Sequence, residues 1–295
     1  MTEARKLEFV RDGAITHGAV MALSPLVRRI IAPNPGPFTY NGTSTFVIGR
    51  GKVAVLDPGP DDPAHLAALE RALAGETVTH IVLTHTHRDH VPAAMPFQKL
   101  TGARTVGRPS PPPAPDVSHT PFQPDLVLND GDTIEAPGWR LTAVHTPGHA
   151  SNHLCYAFAE EATLFTGDHV MGWSTSVIGP PDGDLTAYLG SLDKVMARSE
   201  KLYRSAHGPE RGDGPAYAAA LRAHREARSA GILAQLKAGP ATIPALVAAL
   251  YPDLAPALVT AAGRSVLAHL IAFRRDGTVD CDGPIGVDAT FFLTR

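Results

Sequence analysis

Cysteine is scarce: Cys155 and Cys281 are the only two in 295 residues, and neither has a cysteine neighbour. That excludes a disulfide framework and a cysteine-built metal knuckle, and it predicts two reduced thiols in a cytoplasmic protein. Unbroken hydrophobic runs are missing too. No apolar stretch approaches the roughly 18 residues of a membrane span. The best N-terminal candidate, Ala14 to Leu23, is interrupted by Thr16 and His17 and follows the charged stretch Arg5 to Asp12. Neither a membrane segment nor a secretory signal is expected. An excess of one charge is also lacking, because the net charge is -3; bulk composition therefore points to neither nucleic acid nor membrane. Hydrophobic residues make up 44% and charged residues 19%, enough apolar material for an ordinary core and too much for a disordered tail. The surplus is in histidine. There are 14, and about half fall in a few short motifs.

Thr43 to Ile48 and Val53 to Leu56 read as two strands of a hairpin, stopped by Asp57-Pro58-Gly59-Pro60. Leu66, Leu69 and Leu73 then recur at helical spacing. Thr79 to Leu83 reads as a buried strand running into Thr84-His85-Thr86-His87-Arg88-Asp89-His90, with a helix from about Pro92 to Leu100 and a short strand at Arg104 to Val106. The proline-rich stretch Arg108 to Pro115 excludes helix and central strand and predicts an extended surface loop, with a lid as the alternative. Strands resume at Leu126 to Leu128, Thr133 to Glu135 and Trp139 to Val144, then as a hairpin at His153 to Phe158 and Ala162 to Phe165. Tyr188 to Ala197 has an amphipathic helical pattern, and Lys201 to Ser205 reads as a last strand. Strand-rich stretches each followed by helix predict an α/β fold, two sheets face to face with helices outside: a four-layer αββα sandwich.

After Gly214 the texture changes. Helical patterns at Ala216 to Lys237, Ile243 to Leu250 and Leu258 to Phe273, with strands at Thr278 to Cys281 and Thr290 to Leu293, outline a small α+β, winged-helix-like domain. We therefore expect a catalytic domain over 1–213 and a winged-helix-like domain over 214–295. The second is only weakly basic, well short of a nucleic-acid footprint.

The chemistry concentrates in His85-X-His87-X-Asp89-His90, which places four potential ligands in six residues at the end of a buried strand. His85 and His87 can point the same way if the chain is still extended there, while Asp89 and His90 turn toward a second position. Imidazole with carboxylate suits divalent Zn, Fe or Mn rather than Ca or Mg alone. Further ligands are needed, and three residues qualify: His149, Asp168 and His207, each after an expected strand and each beside a glycine.

This set resembles the metallo-β-lactamase superfamily over roughly residues 20 to 210. The resemblance implies that His85, His87 and His149 hold one metal and that Asp89, His90 and His207 hold a second. Asp168 would bridge both, together with a water or hydroxide. It implies two divalent ions, Zn2+ first, with Mn2+ or Fe2+ as alternatives, and no other bound cofactor. His87 stands where flavodiiron proteins carry Glu, which disfavours oxygen reduction. Asp168 stands where true metallo-β-lactamases lack a bridging Asp, so antibiotic hydrolysis is at most minor, and glyoxalase II, lactonase and phosphodiesterase relatives fit better. Asn34-Pro35-Gly36-Pro37-Phe38-Thr39 and the stretch Ala261 to Leu270 resemble the β-lactamase-like endoribonuclease family, whose members carry a winged-helix-like domain behind the sandwich.

The expected activity is that of a metal-dependent hydrolase. Phosphodiester cleavage of single-stranded RNA leads, with thioester or lactone hydrolysis of a small molecule as the alternative and a nucleic-acid-binding regulator with structural metals as the third reading. Open, carboxylate-bridged sites argue against that third reading, because structural zinc is usually closed and cysteine-rich. Asp89 is expected to ligate and to orient or deprotonate the nucleophile. His153 is the candidate donor to a leaving group and His169 the candidate substrate contact, while Asp57 is expected to support the histidines from behind. No membrane partner is expected, and a homodimer through the C-terminal helices is left open.

Overall fold

The computed structural model describes residues 7–113 and 119–294. The first sheet is built from β1 (Met21–Ala22), β2 (Val27–Ile31), β3 (Ser44–Arg50), β4 (Lys52–Leu56), β5 (Thr77–Val82), β6 (Arg104–Gly107) and β7 (Leu126–Val127), adjacent in chain order. Its first four strands are antiparallel. The last four are parallel, and α1 (Pro63–Ala72) and α2 (Ala94–Thr101) supply the crossovers from β4 to β5 and from β5 to β6 that parallel pairing requires. Asp62 caps α1 by accepting from the His65 amide at 2.8 Å.

The second sheet holds β8 (Thr133–Ala136), β9 (Trp139–His145), β10 (Leu154–Phe158), β11 (Thr163–Gly167) and β12 (Leu202–Ser205), with α3 (Leu185–Met196) crossing over to β12. Phe46, Ile48, Leu56 and Val82 from the first sheet meet Leu141, Tyr156 and Phe165 from the second in the central core. The outer face of the first sheet packs on α1 and α2 through Val47, Val55, Ile81, Leu69 and Phe97. The outer face of the second packs on α3 through Leu164, Tyr203, Leu192 and Val195. These contacts make four layers, αββα, as the strand and helix order predicted.

Strand β2 has no counterpart in the sequence reading, because Arg28 and Arg29 break its apolar pattern. Both are buried. Arg28 pairs with Glu76 at 2.6 Å, and Arg29 donates to the Gly208 carbonyl at 3.0 Å, so charge enters the sheet paired or hydrogen-bonded.

Beyond the sandwich come α4 (Gly214–Ala238), β13 (Ala241–Thr242), α5 (Ile243–Leu250), α6 (Val259–Arg275), β14 (Val279–Cys281) and β15 (Thr290–Leu293), with a three-stranded wing ordered β13-β15-β14. Helix α4 serves two cores. Tyr217, Ala218 and Leu221 cover the second sheet beside α3, while Ile232 and Leu236 enter the core formed by α5, α6 and the wing. Pro256–Arg275 is long and apolar enough to cross a membrane, with a mean hydropathy of 1.4. The sequence led us to expect no such segment, because Arg264, Ser265 and His269 interrupt its apolar residues. In the fold, its Val266, Leu267 and Leu270 pack into the module's own core. Pro109 to Pro113 carry neither helix nor strand; Ala114 and Pro115, the rest of the expected loop or lid, lie outside the described residues.

Candidate metal centre

Strand β5 ends at Val82, and the histidine motif follows where the two sheets open. Asp57, just past β4, governs how that segment leaves the sheet. It sits at a positive φ of 49°, its Oδ1 accepts the Thr84 amide at 2.8 Å, and its Oδ2 accepts the Thr84 hydroxyl at 2.7 Å. Oδ2 also lies 2.9 Å from His90 Nδ1. The Thr84 hydroxyl in turn lies 3.0 Å from His85 Nδ1. With each Nε2 kept free for a metal, the Nδ1–H groups of His85 and His90 donate into this one buried carboxylate network, the support expected of Asp57.

Two clusters of ligand atoms result. In the first, His87 Nδ1 lies 2.9 Å from His85 Nε2 and 3.0 Å from His149 Nε2. A four-coordinate ion with bonds of about 2.0–2.1 Å holds its donors roughly 3.3 Å apart, a few tenths of an ångström wider. In the second, His90 Nε2 lies 3.3 Å from Asp89 Oδ2, and His207 Nε2 lies 3.1 Å from the same oxygen. Asp168 joins them: its Oδ1 is 3.6 Å from His90 Nε2 and 3.4 Å from His207 Nε2, while its Oδ2 is 3.5 Å from His149 Nε2. One carboxylate therefore addresses both clusters, an oxygen to each. All seven expected ligands come together in this way.

Electrostatics separates the two clusters. Burial, reinforced by neighbouring imidazoles, pushes His85 and His87 well below the ordinary histidine range, and burial lowers His149. Their lone pairs converge uncharged. Burial would lower His207 as well, but Asp168 and Asp89 outweigh it and raise its pKa to about 10. The same carboxylates, with Asp57, hold His90 well above its usual value. Conversely, Asp89 and Asp168 stay well below the carboxylate range despite burial, because His90 and His207 face them. His90 Nε2, His207 Nε2 and Asp168 Oδ1 are buried without a hydrogen-bond partner among the described residues. Such groups are costly unless something else binds them, and a divalent cation fits this nitrogen and oxygen set.

Outer contacts fix the remaining rings. His149 Nδ1 donates to the Val177 carbonyl at 2.7 Å, and His207 Nδ1 meets the Gly42 carbonyl at 3.3 Å. Gly148 lets His149 approach: at φ of 139°, a Cβ there would lie 2.4 Å from Tyr188 Cα. His119 lies in none of the motifs singled out from the sequence, yet its ring packs against His87 with centroids 4.6 Å apart. Its two nitrogens reach Thr86 Oγ1 at 2.8 Å and Asp182 Oδ2 at 2.9 Å. Nothing in the local sequence marks that link, since its ends lie 63 residues apart.

The structure corrects two expectations. His153 is fully buried. Its Nδ1 faces Thr146 Oγ1 at 2.9 Å and its Nε2 accepts the Asp168 amide at 3.2 Å, so it holds the Asp168 backbone and has no nitrogen for a leaving group. His169 is equally buried, its pKa lowered to about 3 by desolvation, with its ring edge-on to Tyr188 at 5.0 Å. It packs behind the site instead of meeting a substrate.

Residues 38–207 match the metallo-beta-lactamase superfamily. The chain belongs to that superfamily. Residues 242–284 match the beta-lactamase associated winged helix domain, so this metallo-beta-lactamase superfamily hydrolase carries a winged-helix domain behind its sandwich. It is 31% identical over 252 residues to the lactamase-like protein adaB of Aspergillus niger, covering 79% of this chain and 75% of that protein. It is also 31% identical over 249 residues to the atrochrysone carboxyl ACP thioesterase nsrC of Aspergillus novofumigatus, covering 79% and 73%. Among solved structures, a metallo-beta-lactamase family protein from Thermus thermophilus superposes with a TM-score of 0.76 at 28% identity, covering 92% of this chain and all of that one (100%).

Proposed function

We propose that this superfamily member is a binuclear metal-dependent hydrolase of thioesters. The observation that carries the binuclear part is the divided Asp168 carboxylate, one oxygen toward His149 and the other toward His90 and His207. Two divalent ions held there would lower the pKa of a shared water toward neutrality and polarise the scissile carbonyl. Among the second-cluster ligands, the Asp89 side chain is 22% exposed against 10% or less for Asp168, His90 and His207. Asp89 is therefore the carboxylate that an incoming water can reach, and it can orient that water and take its proton. Asp57, Thr84, Val177 and Gly42 hold the imidazoles in one tautomer, so orientation is built before substrate arrives.

The thioester assignment draws support from the relative named as an acyl carrier thioesterase and from the charge of the C-terminal module. Arg274 pairs with Asp280 at 3.0 Å and Arg275 with Asp184; Arg222 pairs with Asp193 at 3.0 Å. Arg225 is buried, and Arg228 lies over the Tyr251 ring at 3.9 Å while donating to the Leu250 carbonyl. Cations so engaged leave little for the phosphates of an RNA strand. Zinc occupancy and a cytoplasmic location complete this reading.

The deciding experiment follows thiol release from an acyl-pantetheine thioester by protein loaded with two equivalents of Zn2+ or Mn2+. Asp168→Ala is prepared identically, and labelled single-stranded RNA is run in parallel. Thiol release by the parent, lost in Asp168→Ala by about a thousandfold or more and indifferent to added salt, is expected. No release with both metals bound, or RNA cleavage that weakens with salt, overturns the thioester assignment.

A further inference from the structure

Arg225 lies on α4, outside the sandwich, and is 3% exposed. Its guanidinium faces a tyrosine ring and a backbone carbonyl. Cζ sits 5.4 Å from the Tyr188 ring centroid, and Nη2 donates a short hydrogen bond to the Ser176 carbonyl. Its Nε is buried without a hydrogen-bond partner among the described residues. A buried cation satisfied in this way is expensive, so core stability alone does not account for it.

The segment it grips explains its placement. Ser176 donates its hydroxyl to the Asp168 carbonyl at 2.5 Å, and the next residue, Val177, accepts the His149 Nδ1–H at 2.7 Å. Tyr188, beneath the guanidinium, donates its own hydroxyl to the His169 carbonyl at 3.0 Å, next to Asp168. Two consecutive residues thus connect Arg225 on one side with a histidine of the first cluster and the bridging aspartate on the other. We infer that Arg225 is a positioning residue for the metal centre. By holding the Ser176 carbonyl, one peptide from Val177, it fixes the His149 imidazole and the Asp168 backbone, and it links the order of the first metal position to the helix that carries the C-terminal module. The inference rests on the binuclear reading above and holds whatever the substrate.

The test compares the full chain with Arg225→Gln, Arg225→Lys and, as a control on the same helix, Arg222→Ala. Co2+ uptake is titrated against a chromogenic chelator, visible d–d absorption reports ligand geometry, and near-UV circular dichroism checks the fold. We expect Arg225→Gln to keep its near-UV spectrum, to bind one metal equivalent about 10–100-fold more weakly, the cost typical of lost outer-shell support, and to show altered d–d bands. Arg225→Lys should recover part of that loss, and Arg222→Ala should match the parent. Parent affinity and a parent d–d spectrum in Arg225→Gln overturn the inference. Should that variant not fold, the same comparison is read on Arg225→Lys, where full parent behaviour overturns it. A parent that takes up a single equivalent counts against the binuclear reading, while the Arg225 comparison is still read on that equivalent.

Discussion

Asp57 carries more of the site than its place outside the ligand set suggests. One carboxylate receives the Thr84 amide, the Thr84 hydroxyl and His90 Nδ1, and through Thr84 it also orders His85. Histidines of both clusters therefore depend on it. Asn at this position turns an amide N–H toward groups that are themselves donors. We expect Asp57→Asn to weaken metal uptake about 10–100-fold and to cost about 1–3 kcal/mol of stability, measured by chelator competition and by urea unfolding. At this scale the grouping of the candidate ligands was legible, because ligand chemistry is written in residue type and spacing. Of their supports Asp57 was legible too, but the Val177 and Gly42 carbonyls were not, being backbone atoms that any residue supplies. The same blindness explains His153 and His169. Nearness to a ligand in sequence implied a place in the cleft, whereas the turns that follow His149 and Asp168 send His153 and His169 into the core.

Helix α4 is the element on which the two halves of the molecule turn. At 25 residues it is about 37 Å long, enough to place Tyr217, Ala218 and Leu221 under the second sheet and Ile232 and Leu236 in the winged module. A single helix shared by two cores ties their unfolding together. Ile232→Ala should cost about 2–5 kcal/mol and lower one common melting transition in calorimetry, sandwich included. Two separate transitions, only one of them displaced, would show the cores to be independent. The apolar period of α4 was readable from the sequence, but its role as a joint was not, because periodicity shows how many faces are apolar and not what each one meets. Strand β2 was hidden for a related reason: the partners of Arg28 and Arg29 lie far along the chain, at Glu76 and Gly208.

For the whole molecule, buried neutral histidines set the response to acid. Burial lowers His65 to about 4 and His269 to about 3. A histidine whose folded pKa lies below its unfolded value of about 6.5 binds protons more readily when unfolded, so stability is full above that pH and falls as pH drops toward the folded value. For His65 the full window is worth on the order of 3 kcal/mol. Urea midpoints taken between pH 7.5 and 4.5 should therefore fall with pH, and His65→Gln, which keeps a polar partner for the Thr45 hydroxyl, should flatten that slope. The four-layer arrangement was legible in element order, since strands and helices alternate as two packed sheets require.

The position of α4 also has a temporal side. All seven candidate ligands lie between residues 85 and 207, so they leave the ribosome before the helix that covers the second sheet. For that interval a nascent chain holds a complete set of candidate metal-binding side chains, while the apolar surface beside α3 that Tyr217, Ala218 and Leu221 later cover lies bare. Chains that stop short there expose a surface of the kind that drives aggregation. Arrival of α4 is thus the event that closes that surface and joins the sandwich to the module still to come.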